Sequence, residues 1–277
     1  MKPHLIAFIG AGNMARSLIG GLIADGYAPG HIIAADPDQQ RLRDLQTEFG
    51  ILTRTDNSGA AEMADIVVIA VKPQMVAQIA QEIRGGRGLA HKLVISIAAG
   101  IRSSALERWL GRQTALVRAM PNTPALVQSA ATVLYANAHV TAAQRDTAES
   151  ILRAVGLTLW IDEEGLMDAV TALSGSGPAY FFLVMEALEH AGRKLGLPAE
   201  TARLLTLQTA FGAAKMALES GVDSATLRTQ VTSPGGTTER ALGVLTEGAL
   251  ERLFEQALAA ARQRSIELSE LLGEQHG

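Results

Sequence analysis

The chain contains no cysteine. That excludes disulfides, thiolate nucleophiles and thiolate-ligated metals, and it fits a reducing compartment. Histidine is also scarce: the six residues are scattered without ligand spacing, so no metal site is expected. Positive charge is not in excess. A net charge of -4 leaves no basic footprint for nucleic acid and no polybasic stretch for a membrane surface. No window holds the roughly 18 or more uninterrupted apolar residues of a spanning helix. The first apolar run gives way at Gly10 to Arg16 to polar and glycine-rich sequence, so no secretory leader is expected either. What remains is an ordinary soluble composition, 48% hydrophobic and 19% charged over 277 residues. This length accommodates one large or two medium domains. The expected setting is the cytoplasm, and the expected partners are small molecules or further copies of the chain.

The first half alternates short apolar runs with amphipathic segments, the pattern of strands and crossover helices in a parallel sheet. Strands are expected at Leu5 to Ile9, Ile32 to Ala35, Ile66 to Val71, Leu93 to Ile97 and Leu116 to Met120, with two more at Ala131 to Tyr135 and Leu157 to Ile161. Helices are expected at Asn13 to Ala24, Gln74 to Ile83 and Arg102 to Leu110, and another after Thr141. From Glu164 onward alanine and leucine recur at helical spacing and β-branched runs disappear. Ala179 to Leu195, Ala199 to Glu219 and Ala249 to Leu272 read as three long helices. The division falls near Asp162 to Leu166, giving domains 1–163 and 164–277. The helical half is either buried against another subunit or a self-contained bundle.

Gly10-x-Gly12-x-x-Ala15 follows one expected strand and opens one expected helix, the context that a dinucleotide fingerprint requires. The first glycine permits a tight turn, the second lets the backbone approach a pyrophosphate, and Ala15 brings helix and strand together. Asp36 ends the second strand, where an acid pairs with a ribose 2'-hydroxyl and repels a 2'-phosphate. It favours NADH, whereas Arg41 and Arg43 nearby either receive a phosphate or are solvated helix charges. The cofactor choice stays open. Ala70-Val71-Lys72-Pro73 and Ile97-Ala98-Ala99-Gly100 lie past later strand ends, placed to line a cofactor groove. Met120-Pro121-Asn122-Thr123-Pro124 is either a rigid hydrogen-bonding platform or a stiff connection. Leu173 to Tyr180 reads as a helix-start turn.

The second chemical signal is Val231-Thr232-Ser233-Pro234-Gly235-Gly236-Thr237-Thr238-Glu239-Arg240. Pro234-Gly235-Gly236 builds a turn, after which Thr237 or Thr238 is expected to cap a helix whose first turn presents free N–H groups. Such a helix start seats a small anion. Ser233, Thr237 and Thr238 supply more hydroxyls than a single cap requires.

Taken in order, these motifs resemble the pyrroline-5-carboxylate reductase family over nearly the whole chain. The resemblance implies an α/β fold, an N-terminal Rossmann-type dinucleotide-binding domain followed by an all-helical dimerisation domain. The implied reaction is NADPH- or NADH-dependent reduction of 1-pyrroline-5-carboxylate to L-proline, the last step of proline biosynthesis. A homodimer assembling to a decamer is implied as well. Residue by residue, Ile9, Gly10, Ala11, Gly12, Asn13 and Met14 would hold the pyrophosphate, and Asn57 would lie near the adenine ribose. Ala70, Val71, Lys72 and Pro73, with Ile97, Ala98 and Ala99, would line the nicotinamide end. Backbone N–H groups at Gly236, Thr237 and Thr238 would hold the substrate carboxylate beside Ser233, with the Thr238 hydroxyl near the ring nitrogen as the one catalytic group. Asp36 departs from the family pattern, which has a small hydroxyl residue there, so a strict NADPH preference does not follow. Two alternatives stand beside this reading. A β-hydroxyacid-type dehydrogenase would need a lysine where this chain has Phe181, and an apolar side chain takes no alcohol proton. A non-catalytic dinucleotide-binding dimer would have no use for the Thr238 seat.

Overall fold

The computed structural model describes residues 4–85, 89 and 91–274. Met1 to Pro3 and Gln275 to Gly277, the outermost residues of the two expected domains, lie outside that set. The chain forms two compact units. One runs to Ser176 and resumes at Ala261, and the other is Gly177 to Ala260.

In the first unit the elements follow in the order β1 (Ile6–Ile9), α1 (Asn13–Ala24), β2 (Ile32–Ala35), α2 (Gln39–Phe49), β3 (Leu52–Arg54), α3 (Asn57–Met63), β4 (Ile66–Ile69), α4 (Val76–Arg84), β5 (Leu93–Ser96), α5 (Ser103–Leu110), β6 (Ala115–Met120), β7 (Ala130–Ala136), α6 (Ala142–Arg153), β8 (Gly156–Trp160) and α7 (Met167–Val170). Strands β1, β2 and β4 are apolar and buried at every position because they are covered on both faces. Along β1, Ile6 and Phe8 pack with Leu18, Ile19 and Leu152, while Ala7 and Ile9 pack with Ala80 and Leu106. This two-residue alternation divides the core into two layers with the sheet between them. Burying a side chain such as Phe8 contributes about 2 kcal/mol. Thr141 caps α6 in a reciprocal capping box with Gln144, as its position before an amphipathic run predicts.

The sheet order is β3-β2-β1-β4-β5-β6-β7-β8. Strands β1 to β6 run parallel, β7 is antiparallel to β6, and β8 is parallel to β7. A parallel return needs a crossover of a dozen or more residues. Only the segment from Pro121 to Ser129, with a 3-10 turn at Thr123–Val127, joins β6 to β7, so the strand direction reverses. The sequence pattern did not reveal β3 or α3. At the sheet edge β3 exposes Leu52 and Arg54 and carries no apolar run. The strand order changes direction at β1, which opens a crevice at the carboxyl ends of the strands, where ligands of such sheets bind.

The second unit begins with α8 (Gly177–Lys194) and continues through α9 (Ala199–Glu219), α10 (Ser224–Gln230), α11 (Thr237–Glu247) and the first part of α12 (Leu250–Glu274). The three long helices stand where the periodicity put them, with α10 and α11 as shorter pieces between. Gly192 lets α8 approach Ala202 of α9. Among the residues of this unit only Gly177 and Ala202 are buried. Phe181, Phe182 and Phe211 are 67%, 65% and 62% exposed. A self-contained bundle would bury them, so the bundle alternative does not hold, and this many large apolar side chains left exposed mark a protein contact.

Candidate active site

At the carboxyl ends of β1, β2 and β4 lies a cavity of about 920 Å³. Gly10 to Met14 line it from β1 and the start of α1, Asp36 from the end of β2, Asn57 from α3, and Ala70, Val71 and Lys72 from the end of β4. Ten of the expected cofactor residues are thereby brought together. Ile9 is buried in β1 and delivers the loop, and Pro73 opens the 3-10 turn Pro73–Met75 after Lys72. Ile97, Ala98 and Ala99 follow β5 and do not line this cavity, with Ala98 packed in the core. Arg16, Asp44 and Glu82 are among the other lining residues, and sequence patterns gave no reason to select them.

The loop geometry explains its residues. Gly10 has φ of +101°, and a Cβ there would meet the Ala70 carbonyl oxygen at 2.6 Å, so only glycine allows β1 and β4 to lie this close. Gly12 caps α1 without any side-chain hydrogen bond, and a Cβ on it would project into open space. The free amides of the first turn therefore meet a cradle that a side chain would fill, an arrangement suited to a pyrophosphate. The dimensions and donors fit a nicotinamide dinucleotide. Asn57 donates from Nδ2 to Glu82 Oε2 at 3.1 Å, which fixes its amide at the cavity wall. Arg41 pairs with Asp38 at 3.3 Å and lies 4.0 Å from Asp36, so acidic neighbours already engage its charge.

In the second unit, Gly235 at φ +72° turns the chain. Gly236 is the N-cap of α11, in extended geometry and with no side-chain cap. Thr237 and Thr238 are thus the first helical residues rather than caps, which corrects the expected assignment: the glycine already supplies the extended conformation a cap needs. The Gly236 N–H donates to the Ser233 carbonyl at 3.0 Å, closing the turn. Glu239 Oε2 accepts from the Gly235 N–H at 2.7 Å and braces the turn. As the first residues of α11, Thr237 and Thr238 carry amides without intrahelical acceptors.

Two polar clusters in the first unit escaped sequence reasoning because their members are distant in the chain. Glu164 accepts from both the amide and the hydroxyl of Ser103 at 2.6 Å and from the buried Arg118. Burial pushes the Glu164 carboxyl up, but the Ser103 hydroxyl, Arg118 and the Ser103 amide together outweigh it and hold the group below its ordinary value. Asp168 is held by Arg102 at 3.2 Å and by the Ser265 hydroxyl at 2.7 Å. Asn122 donates to the Ser174 carbonyl at 3.2 Å and accepts from the Ala131 amide at 3.0 Å. It ties the proline-rich loop to Thr171–Gly175, a short π-helical segment, after which α8 starts at Gly177 with Pro178 in its first turn, as expected of Leu173 to Tyr180.

Residues 164–268 match the model for pyrroline-5-carboxylate reductase dimerisation. Residues 5–100 match a model described as NADP oxidoreductase, coenzyme F420-dependent. A pyrroline-5-carboxylate reductase of Pseudomonas aeruginosa is 54% identical, the alignment covering 99% of this chain and 100% of that one. The chain belongs to the pyrroline-5-carboxylate reductase family. A solved reductase of this family from Coxiella burnetii superposes with a TM-score of 0.93 at 48% identity, over 97% of this chain and 99% of that one. The structure of a Plasmodium falciparum pyrroline carboxylate reductase with NADP bound is similar at a TM-score of 0.85 and 30% identity, again over 97% and 99% of the two chains. Family membership sets aside both the β-hydroxyacid dehydrogenase and the non-catalytic dimer. It also gives the exposed helical surface its role, since that unit lies within the matched dimerisation region. Among the described residues no helix is long and apolar enough to cross a membrane, and no cluster of potential metal ligands occurs.

Proposed function

We propose that this chain reduces 1-pyrroline-5-carboxylate to L-proline with NADPH or NADH, as the last step of proline biosynthesis. Beyond family membership, the observation that carries this reading is the open start of α11, where glycine takes the capping position and the threonine amides stay unused. Gly10 to Met14 would hold the cofactor pyrophosphate, with Asp36 and Asn57 toward its adenosine end and Ala70 to Pro73 toward the nicotinamide. Ile97 to Ala99 belong to the same proposal. When bound, the reduced nicotinamide supplies a hydride to the imine carbon.

The chain's own residues bind and orient. The amides of Thr237 and Thr238 receive the substrate carboxylate, while Gly236 and Ser233 hold the turn that presents them. Thr238 directs its hydroxyl to the ring nitrogen, which takes its proton from solvent through that hydroxyl. Reduction of a protonated imine removes positive charge, so alignment matters more than a strong acid. A threonine hydroxyl suits positioning or relay better than general acid catalysis.

The functional division between 1–163 and 164–277, assembly of the dimers into a decamer, and a cytoplasmic location complete the proposal. Its test is to mix the protein with pyrroline-5-carboxylate and each reduced cofactor while following reduced-cofactor absorbance and L-proline. Substrate-dependent loss matched by proline is expected, and no such loss with either cofactor would refute the reading.

A further inference from the structure

Both oxygens of Asp36 are already engaged by backbone. Oδ2 accepts the Ala11 N–H at 2.8 Å and Oδ1 accepts the Asp38 N–H at 2.9 Å. The residue is only 7% exposed, and Ala11 is the middle residue of the glycine loop. A side chain placed merely to meet a ribose would have no reason to hold this amide. We infer that Asp36 is a positioning residue, a strut that fixes the glycine loop through Ala11, so that loop shape and cofactor selection share one carboxylate. The selectivity half rests on the reading that the cavity beside Asp36 holds the cofactor.

The physical consequence is a coupling. A carboxylate offers about four lone-pair sites, so Asp36 can keep Ala11 and Asp38 and still accept a ribose hydroxyl. A 2'-phosphate brings a like charge to a largely buried group. Displacing the carboxylate would release the Ala11 N–H, which is itself secluded, at the cost of an unmade hydrogen bond. Serine and asparagine each have a single acceptor oxygen and cannot hold both amides. Serine's lies on a shorter arm that reaches the local Asp38 N–H and not Ala11, whereas asparagine's arm is as long as that of aspartate. Asp36→Ser therefore removes the repulsion and the strut together, whereas Asp36→Asn removes the charge and keeps its one acceptor oxygen for Ala11 while giving up the Asp38 contact.

The two variants separate the roles. Hydrogen exchange without cofactor, read by mass spectrometry on peptides covering Phe8 to Arg16, should quicken about tenfold at the loop in Asp36→Ser and stay near wild type in Asp36→Asn, with exchange unchanged beyond this loop and the Asp38 amide. Fluorescence titration should show NADH binding about tenfold weaker in Asp36→Ser, and a larger gain in NADPH affinity for Asp36→Asn than for Asp36→Ser. Wild-type loop exchange in Asp36→Ser would overturn the strut, as would an NADPH gain there equal to that of Asp36→Asn. Gly12→Val, which fills the cradle, serves as the control for location. If it leaves binding of both cofactors intact, the cavity reading fails and the selectivity half falls with it, while the exchange comparison still decides the strut.

Discussion

The two units of this chain solve the problem of burying apolar surface in opposite ways. Around the sheet, Ile6, Phe8, Ile33 and Val68 are sealed to 1% exposure or less, and buried acids have found partners within the same unit. In the helical unit Phe181, Phe182 and Phe211 stand open, although the sequence there is no less apolar. The first unit closes its core within the one chain and presents a cavity at the strand ends. The second awaits a further copy, which matches its place in the dimerisation region.

The sharpest way to probe the self-sufficient side is its buried ion pair. Glu164→Gln leaves Arg118, which is 6% exposed, without a charged partner. At neutral pH this should cost about 3 kcal/mol of stability, read from denaturant midpoints. Because the folded-state Glu164 carboxyl titrates below its ordinary value, its contribution is complete above the unfolded pKa and is lost as pH falls through the folded one. The gap between wild type and variant should therefore close in acid. A gap that persists unchanged at low pH would show that the carboxylate's charge is not its source.

The helical side predicts a different signature. Phe211→Asp should weaken self-association by about 2 kcal/mol or more, roughly thirtyfold in the dissociation constant. Analytical ultracentrifugation would detect the shift, while unfolding of the sheet unit stays unaltered. Unchanged association would remove this face from the interface and break the contrast between the units.

Much of the sheet unit was legible because its signals are local. The continuous runs at Ile6–Ile9 and Ile66–Ile69, the Gly10 turn and the Thr141 cap each carry their cause within a few residues. The antiparallel β7 was not legible, since its direction depends on how little chain Pro121 to Ser129 provides. Nor was β3, whose Leu52-Thr53-Arg54 has no apolar pattern. The site divides in the same way. Gly10 to Met14 announced themselves, but that Asp36 reaches Ala11 and that Glu164 gathers Ser103 and Arg118 are facts of tertiary contact. At α11 the hydroxyls drew attention as caps, whereas Gly236 took that position and left Thr237 and Thr238 within the first turn. That rearrangement strengthens the anion seat, because a capping hydroxyl would have consumed one of its donors.

The smallest of these effects is the most direct test of the account, for it asks whether the open start of α11 holds the substrate. Steady-state kinetics of Thr238→Ala with pyrroline-5-carboxylate should show KM raised and kcat lowered, together reducing kcat/KM at least about tenfold, while cofactor affinity by fluorescence titration stays within error of wild type. Unchanged kinetics for the pyrroline acid, or a loss confined to cofactor binding, would contradict the assignment of this helix start to the substrate.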